Sequence, residues 1–138
     1  MGLYLAVFDG DEEIEGVEVG SYADFGRFRE TVTAALEAGR PGSRFPTLIV
    51  HSDCEGAWSS DDAARLREEL VEIANAFRRL PPRMPDAGSW QSDIARSLGL
   101  APTNLYESFF DVDGEPLVER LSELAQIADA RRKEILFQ

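Results

Sequence analysis

The first nineteen residues constrain this chain more than any other stretch. Leu3-Tyr4-Leu5-Ala6-Val7-Phe8 is an unbroken apolar run, and a short run of this kind reads as a buried strand. Asp9-Gly10-Asp11 follows with residues that tolerate the backbone angles of a reversal. Ile14, Val17 and Val19 then resume an extended pattern with Glu15 and Glu18 between them, which predicts a hairpin with an acidic connection. A lone hairpin is marginal in water, so the remaining residues must supply its cover.

Three amphipathic stripes supply it. Ser21 opens a helix that gathers Phe25, Phe28, Val32, Ala35 and Leu36 on one face, ending at Gly39 and Pro41 with Arg40 near the negative end of the dipole. Ser59, with Asp62 three residues on, has capping-box spacing and opens a second helix. Its stripe is Leu66, Leu70, Ile73, Ala74 and Phe77, and it stops before Pro81-Pro82. The last long helix starts around Asp113-Gly114-Glu115-Pro116 and buries Leu117, Leu121, Leu124 and Ala128. Between these lie smaller pieces. Thr47-Leu48-Ile49-Val50 reads as a central strand, and Ser89 caps a short helix with a core stripe of Trp90, Ile94 and Leu98 that Gly99 ends. Residues 81–89 form an exposed connection, and 105–112 reads either as a strand or as an irregular packed segment. Ile135-Leu136-Phe137 adds a final edge strand in a tail, 134–138, that reads as native. The expectation is one α+β domain over residues 1–138, with a small, mostly antiparallel or mixed sheet of about four strands packed with three main helices.

Charge then narrows the partners. With 26 acidic against 14 basic residues the net charge is −12, which disfavours direct binding to nucleic acid or to an anionic membrane. One cysteine, Cys54, excludes an internal disulfide, and a single histidine beside it cannot complete the usual structural zinc site. No segment approaches the ~20 apolar residues of a membrane span, and the run 3–8 is too short for a signal peptide. The expected location is cytoplasmic, with no metal and no cofactor.

The loop His51–Trp58 holds the only His and Cys, beside Asp53 and Glu55. A small hydrolase or metal-dependent enzyme using His51, Asp53 and Cys54 is the enzymatic alternative. It is weak, because neighbouring carboxylates disfavour the thiolate that a nucleophilic cysteine needs. The alternating acids Asp9, Asp11, Glu13 and Asp111, Asp113, Glu115 do not make calcium loops of the EF-hand kind. The positions that require glycine hold Ile14 and Pro116, and those that require a bidentate Glu hold Gly20 and Ser122. Turn residues followed by a helix start explain most of both clusters, and a looser Ca²⁺ or Mg²⁺ site assembled in space is the alternative. No phosphate-binding, nucleophile-elbow or zincin motif is present, so no catalytic residue is expected.

Charge is also unevenly placed. The first 26 residues carry seven acids and no Lys or Arg, and residues 45–64 carry Asp53, Glu55, Asp61 and Asp62, again without Lys or Arg. An acidic face of this kind steers association with a cationic partner, although solubility alone also favours one. Trp58 reads either as packing beneath the helix cap or as a part-exposed interface anchor.

Three stretches together resemble a known family. They are Met1-Gly2-Leu3-Tyr4-Leu5 through Val7-Phe8-Asp9-Gly10 with Glu15-Gly16-Val17-Glu18-Val19-Gly20; Phe45-Pro46-Thr47 with His51-Ser52-Asp53-Cys54-Glu55-Gly56-Ala57-Trp58-Ser59; and Glu107-Ser108-Phe109 with Asp111-Val112-Asp113-Gly114-Glu115-Pro116-Leu117. In order and spacing they are similar to the immunity proteins of bacterial polymorphic-toxin systems, specifically family seventy among them. The resemblance implies a small cytoplasmic α+β protein that binds a cognate toxin domain and neutralises it by occlusion, without catalytic residues. It brings no contact residues, so the expected toxin-binding set comes from charge and exposure alone: Asp53, Glu55 and Trp58, then Asp11, Glu12 and Glu13. A non-toxin regulatory adaptor is the remaining alternative.

Overall fold

The computed structural model describes residues 2–52 and 56–138. Strands β1 (Gly2–Asp9) and β2 (Glu12–Ser21) form the expected hairpin, with Gly10 at φ 64° in its turn. Tyr4 pairs with Glu18, Leu5 with Val17, Ala6 with Gly16 and Phe8 with Glu13, and the register shifts at Leu3/Tyr4 and Val7/Phe8. Strands β3 (Ala57–Trp58) and β4 (Ile135–Phe137) complete an antiparallel sheet in the order β2-β1-β4-β3. The C-terminal strand is therefore interior and not an edge. Leu5 and Ala6 of β1 flank it on one side, and Ala57 and Trp58 of β3 on the other.

The long helices are α1 (Tyr22–Leu36), α3 (Ser60–Phe77) and α5 (Leu117–Arg131), separated by the short α2 (Pro46–Val50) and α4 (Trp90–Leu98). Ser21 and Ser59 each close a full capping box, with Asp24 and Asp62 answering the cap backbone. The stripes of α3 and α5 are buried as their spacing predicts. In α1 only Phe25, Phe28 and Val32 are fully buried, while Ala35 is exposed. Phe28 is the aromatic hub, with ring centroids of Phe25, Phe77 and Phe109 at 6.4, 6.3 and 5.3 Å.

Residues 47–50 are helical, not the central strand that their β-branched composition suggests. Pro46 occupies the first helical position, where a missing N–H costs nothing. The Glu69 carboxylate of α3 accepts from Thr47 N at 3.0 Å and Leu48 N at 2.9 Å, acting as a cap borrowed from another helix. At the other end Arg29 of α1 donates to the carbonyls of Ile49 and His51. A carboxylate at the N-terminus and a guanidinium at the C-terminus match the peptide dipoles. Both partners lie about 20 residues away in sequence, so no local window contains the signal.

The stripe on α4 is also not core: no residue of α4 is fully buried, and Leu98 is 54% exposed. The helix is held by Asp24, which accepts from Trp90 Nε1 at 2.9 Å and from Gln91 Nε2 at 2.7 Å. Residues 105–112 resolve into a 3-10 turn at Tyr106–Ser108 and an irregular packed segment. Asp111, 1% exposed, accepts from the backbones of Asp113 and Glu115 and faces Arg120 at 3.4 Å. That is turn chemistry, completed by a part-buried ion pair.

Candidate protein-interaction surface

The sheet has two unlike faces. Leu3, Leu5, Val7, Val17, Val19, Trp58, Ile135 and Phe137 join the core cluster with the helix stripes. Strand alternation sends Tyr4, Ala6, Phe8 and Leu136 to the opposite face, and none of these four belongs to that cluster. Tyr4, Phe8 and Leu136 are half-buried there, while Ala6 is fully buried between its cross-strand neighbours Gly16 and Leu136. The Tyr4 ring lies over Gly16: a Cβ on that glycine would stand 2.0 Å from Tyr4 Oη. Gly16 is there for space and not for backbone freedom.

This outer face is acidic. Tyr4 Oη donates to Glu13 Oε2 at 2.8 Å. Burial, the Glu13 hydrogen bond and the charges of Glu13, Glu15 and Glu18 push the Tyr4 phenol up to about 12. Nearby cations are already turned to other partners: Lys133 to Asp9 at 3.3 Å, and Arg120 to Glu15 at 3.4 Å and the Gly16 carbonyl at 2.8 Å. Asp11, Glu12 and Glu13 are exposed at the hairpin end, and Glu18 is exposed farther along β2. Among the described residues none of these four forms an ion pair. A groove of about 700 Å³ continues from Gly2 and Glu18 towards α4, where Trp90, Asp93 and Ile94 form its far wall.

The other expected residues fall differently. Trp58 is 1% exposed, its indole N–H donates to the Thr47 carbonyl at 2.9 Å, and its ring meets Phe137 edge-on at 4.7 Å. It packs the core under β3 and presents no surface for an anchor. Asp53, Cys54 and Glu55 lie outside the described residues. His51 stacks on Phe137 at 4.3 Å, with Nδ1 2.8 Å from the Ser52 carbonyl and Nε2 2.9 Å from the Ala57 carbonyl. Its ring thus has a packing and hydrogen-bonding role between Ser52 and strands β3 and β4. Among the described residues, no group of three His, Cys, Asp or Glu side chains is arranged to hold a metal, and no helix is long and apolar enough to cross a membrane.

Asp11, Glu12 and Glu13 lie at the hairpin end of β2, whereas β3 forms the opposite edge of the sheet. Three strand spacings, about 14 Å, separate those edges. Sequence reasoning missed the outer-face set of Tyr4, Phe8, Glu18 and Leu136. The period-two split of Leu3, Leu5, Val7 from Tyr4, Ala6, Phe8 carries the signal, but an apolar run conceals it.

A family model described as Immunity protein 70 matches residues 3–137 of the chain. No curated protein and no solved structure matches it.

Proposed function

The chain belongs to the Immunity protein 70 family, and on that premise we propose that it binds and neutralises a cognate toxin domain of a bacterial polymorphic-toxin system. The family match over residues 3–137 carries this reading. In the mechanism we propose, an acidic surface covers the toxin's active site and excludes its substrate. That competition is most direct where the substrate is itself anionic, such as nucleic acid. Asp11, Glu12 and Glu13 favour this reading because they are exposed, adjacent and without an ion-pair partner among the described residues. Asp53 and Glu55 belong to the same proposal on charge grounds. Inhibition by occlusion needs no chemistry from this chain, so no catalytic residue is assigned, and protection of the producing cell places its work in the cytoplasm.

The proposal expects a gene for the cognate toxin domain directly beside the gene for this chain, and the test is co-expression of the two. Cells carrying both should grow, and cells carrying the toxin alone should not. Replacing Asp53 and Glu55 by Lys should weaken binding while leaving the thermal melt unchanged; intact affinity would remove those two residues from the interface. A His51→Ala variant that still protects would count against an enzymatic role for the loop.

A further inference from the structure

We infer that the outer face of the sheet, with Tyr4, Phe8 and Leu136 at its centre and Glu13 and Glu18 beside them, is where a basic surface of the toxin docks, seating an arginine or lysine against the Tyr4 ring. The inference rests on the proposed neutralising role and adds where contact is made and which chemistry the partner brings.

Three observations carry it. An antiparallel sheet with one solvated face ordinarily alternates apolar inward with polar outward. Here the outward positions of β1, β3 and β4 include Tyr4, Ala6, Phe8, Ala57 and Leu136, and none of them belongs to the core cluster. A half-exposed apolar centre with a charged rim, set outside the core cluster, has the usual anatomy of an interaction site. Second, among the described residues Glu13 and Glu18 flank this centre without ion pairs, because Lys133 and Arg120 are committed to Asp9 and Glu15. Charge complementarity therefore calls for a cationic partner. Third, the Tyr4 ring rests over Gly16, where no side chain intervenes, and its hydroxyl lies 2.8 Å from a Glu13 oxygen. A guanidinium above that ring would meet the aromatic face and a carboxylate together. A second copy of this chain fits poorly, since face-to-face contact would press Glu13 and Glu18 of each copy against the other's acids.

The experiment titrates the purified full chain with a catalytically inactivated form of the cognate toxin domain whose gene the proposed function expects beside this one, by calorimetry, with sedimentation of the chain alone beside it. Wild type should bind and should sediment as a monomer. The double reversal Glu13→Arg with Glu18→Arg should weaken binding at least about tenfold, and Tyr4→Ala by about tenfold, while Tyr4→Phe, which keeps the ring, stays within about threefold. A matched reversal on the exposed face of α3, Glu68→Arg with Glu72→Arg, should stay within about threefold and so separate contact from net charge. If wild type binds and the sheet-face reversals do not matter, or the α3 control matters equally, the docking surface is overturned while neutralisation stands. If wild type does not bind, the neutralising role fails and the docking surface with it. A concentration-dependent dimer that Glu13→Arg with Glu18→Arg alters would give the face to a second copy instead.

Discussion

The two faces of one four-stranded sheet follow different rules. On the inner face the positions of β1 are Leu3, Leu5 and Val7, each fully buried against helix stripes that include Phe25, Phe28 and Leu121. On the outer face the same strand offers Tyr4, Ala6 and Phe8, of which only Ala6 is fully buried. Both sets are apolar, and they differ in what lies above them. The inner set explains itself by what it packs against. The outer set has no such cover within the core cluster, and that imbalance draws attention to it as a binding surface.

The largest expected effect belongs to the inner face. Phe28→Ala removes the ring that meets Phe25, Phe77 and Phe109 and should cost about 3–5 kcal/mol in urea denaturation. A loss near 1 kcal/mol would break the contrast by showing that the helical layer is loosely packed. Next comes Glu69→Ala, which strips the acceptors from the first turn of α2. It should cost about 1–3 kcal/mol, because backbone donors at the edge of the core lose their partners.

Acid should act on this layer next. Burial alone would raise Glu37, but donors from Phe45, Arg44, Thr33 and Gly42 outweigh it and hold the carboxyl below its ordinary value. Asp24 is likewise held low: burial opposes ionisation, and Trp90, Ser21 and Gln91 overcome it. For a carboxyl depressed in the folded state, the stabilisation is complete above the unfolded pKa and is lost as pH falls through the folded one. The melting temperature should therefore fall as pH drops below 4.5, the ordinary glutamate value that Glu37 regains on unfolding. Glu37→Gln should start lower and decline less steeply over that window. Equal slopes would mean that other carboxyls carry the acid sensitivity.

The smallest effect belongs to the outer face. Gly16→Ala meets only the far end of the flexible Tyr4 side chain, so the ring swings aside and stability should change by less than about 1 kcal/mol. The Tyr4 titration, read by ultraviolet absorbance, should move from about 12 back towards the ordinary tyrosine value of 10.0 as the Glu13 contact is lost. Unfolding of this variant would make the outer face a packed layer and erase the contrast.

Much of the fold was legible because its signals are local. Ser21 with Asp24, and Ser59 with Asp62, are capping boxes in the sequence and in space. The stripes of α3 and α5 are periodic enough to be read directly. The failures share a cause in distant partners. Residues 47–50 look like a strand until Glu69 and Arg29 arrive at the two ends. Trp58 looks like an anchor until β4 and the Thr47 carbonyl bury it. Ile135–Phe137 looks like an edge until β3, nearly 80 residues earlier, pairs with it.

By itself the sequence determined the hairpin, the three long helices, the α+β class and two acid-rich stretches that carry no Lys or Arg of their own, because turn residues, caps, periodicity and charge act within a few positions. Only the tertiary structure decided which half of an apolar strand is core, since helices cover one face and leave the other to Tyr4, Phe8 and Leu136. The physical reason is the two-residue repeat of a strand. It divides the side chains into two sets but does not say which set a distant helix will bury.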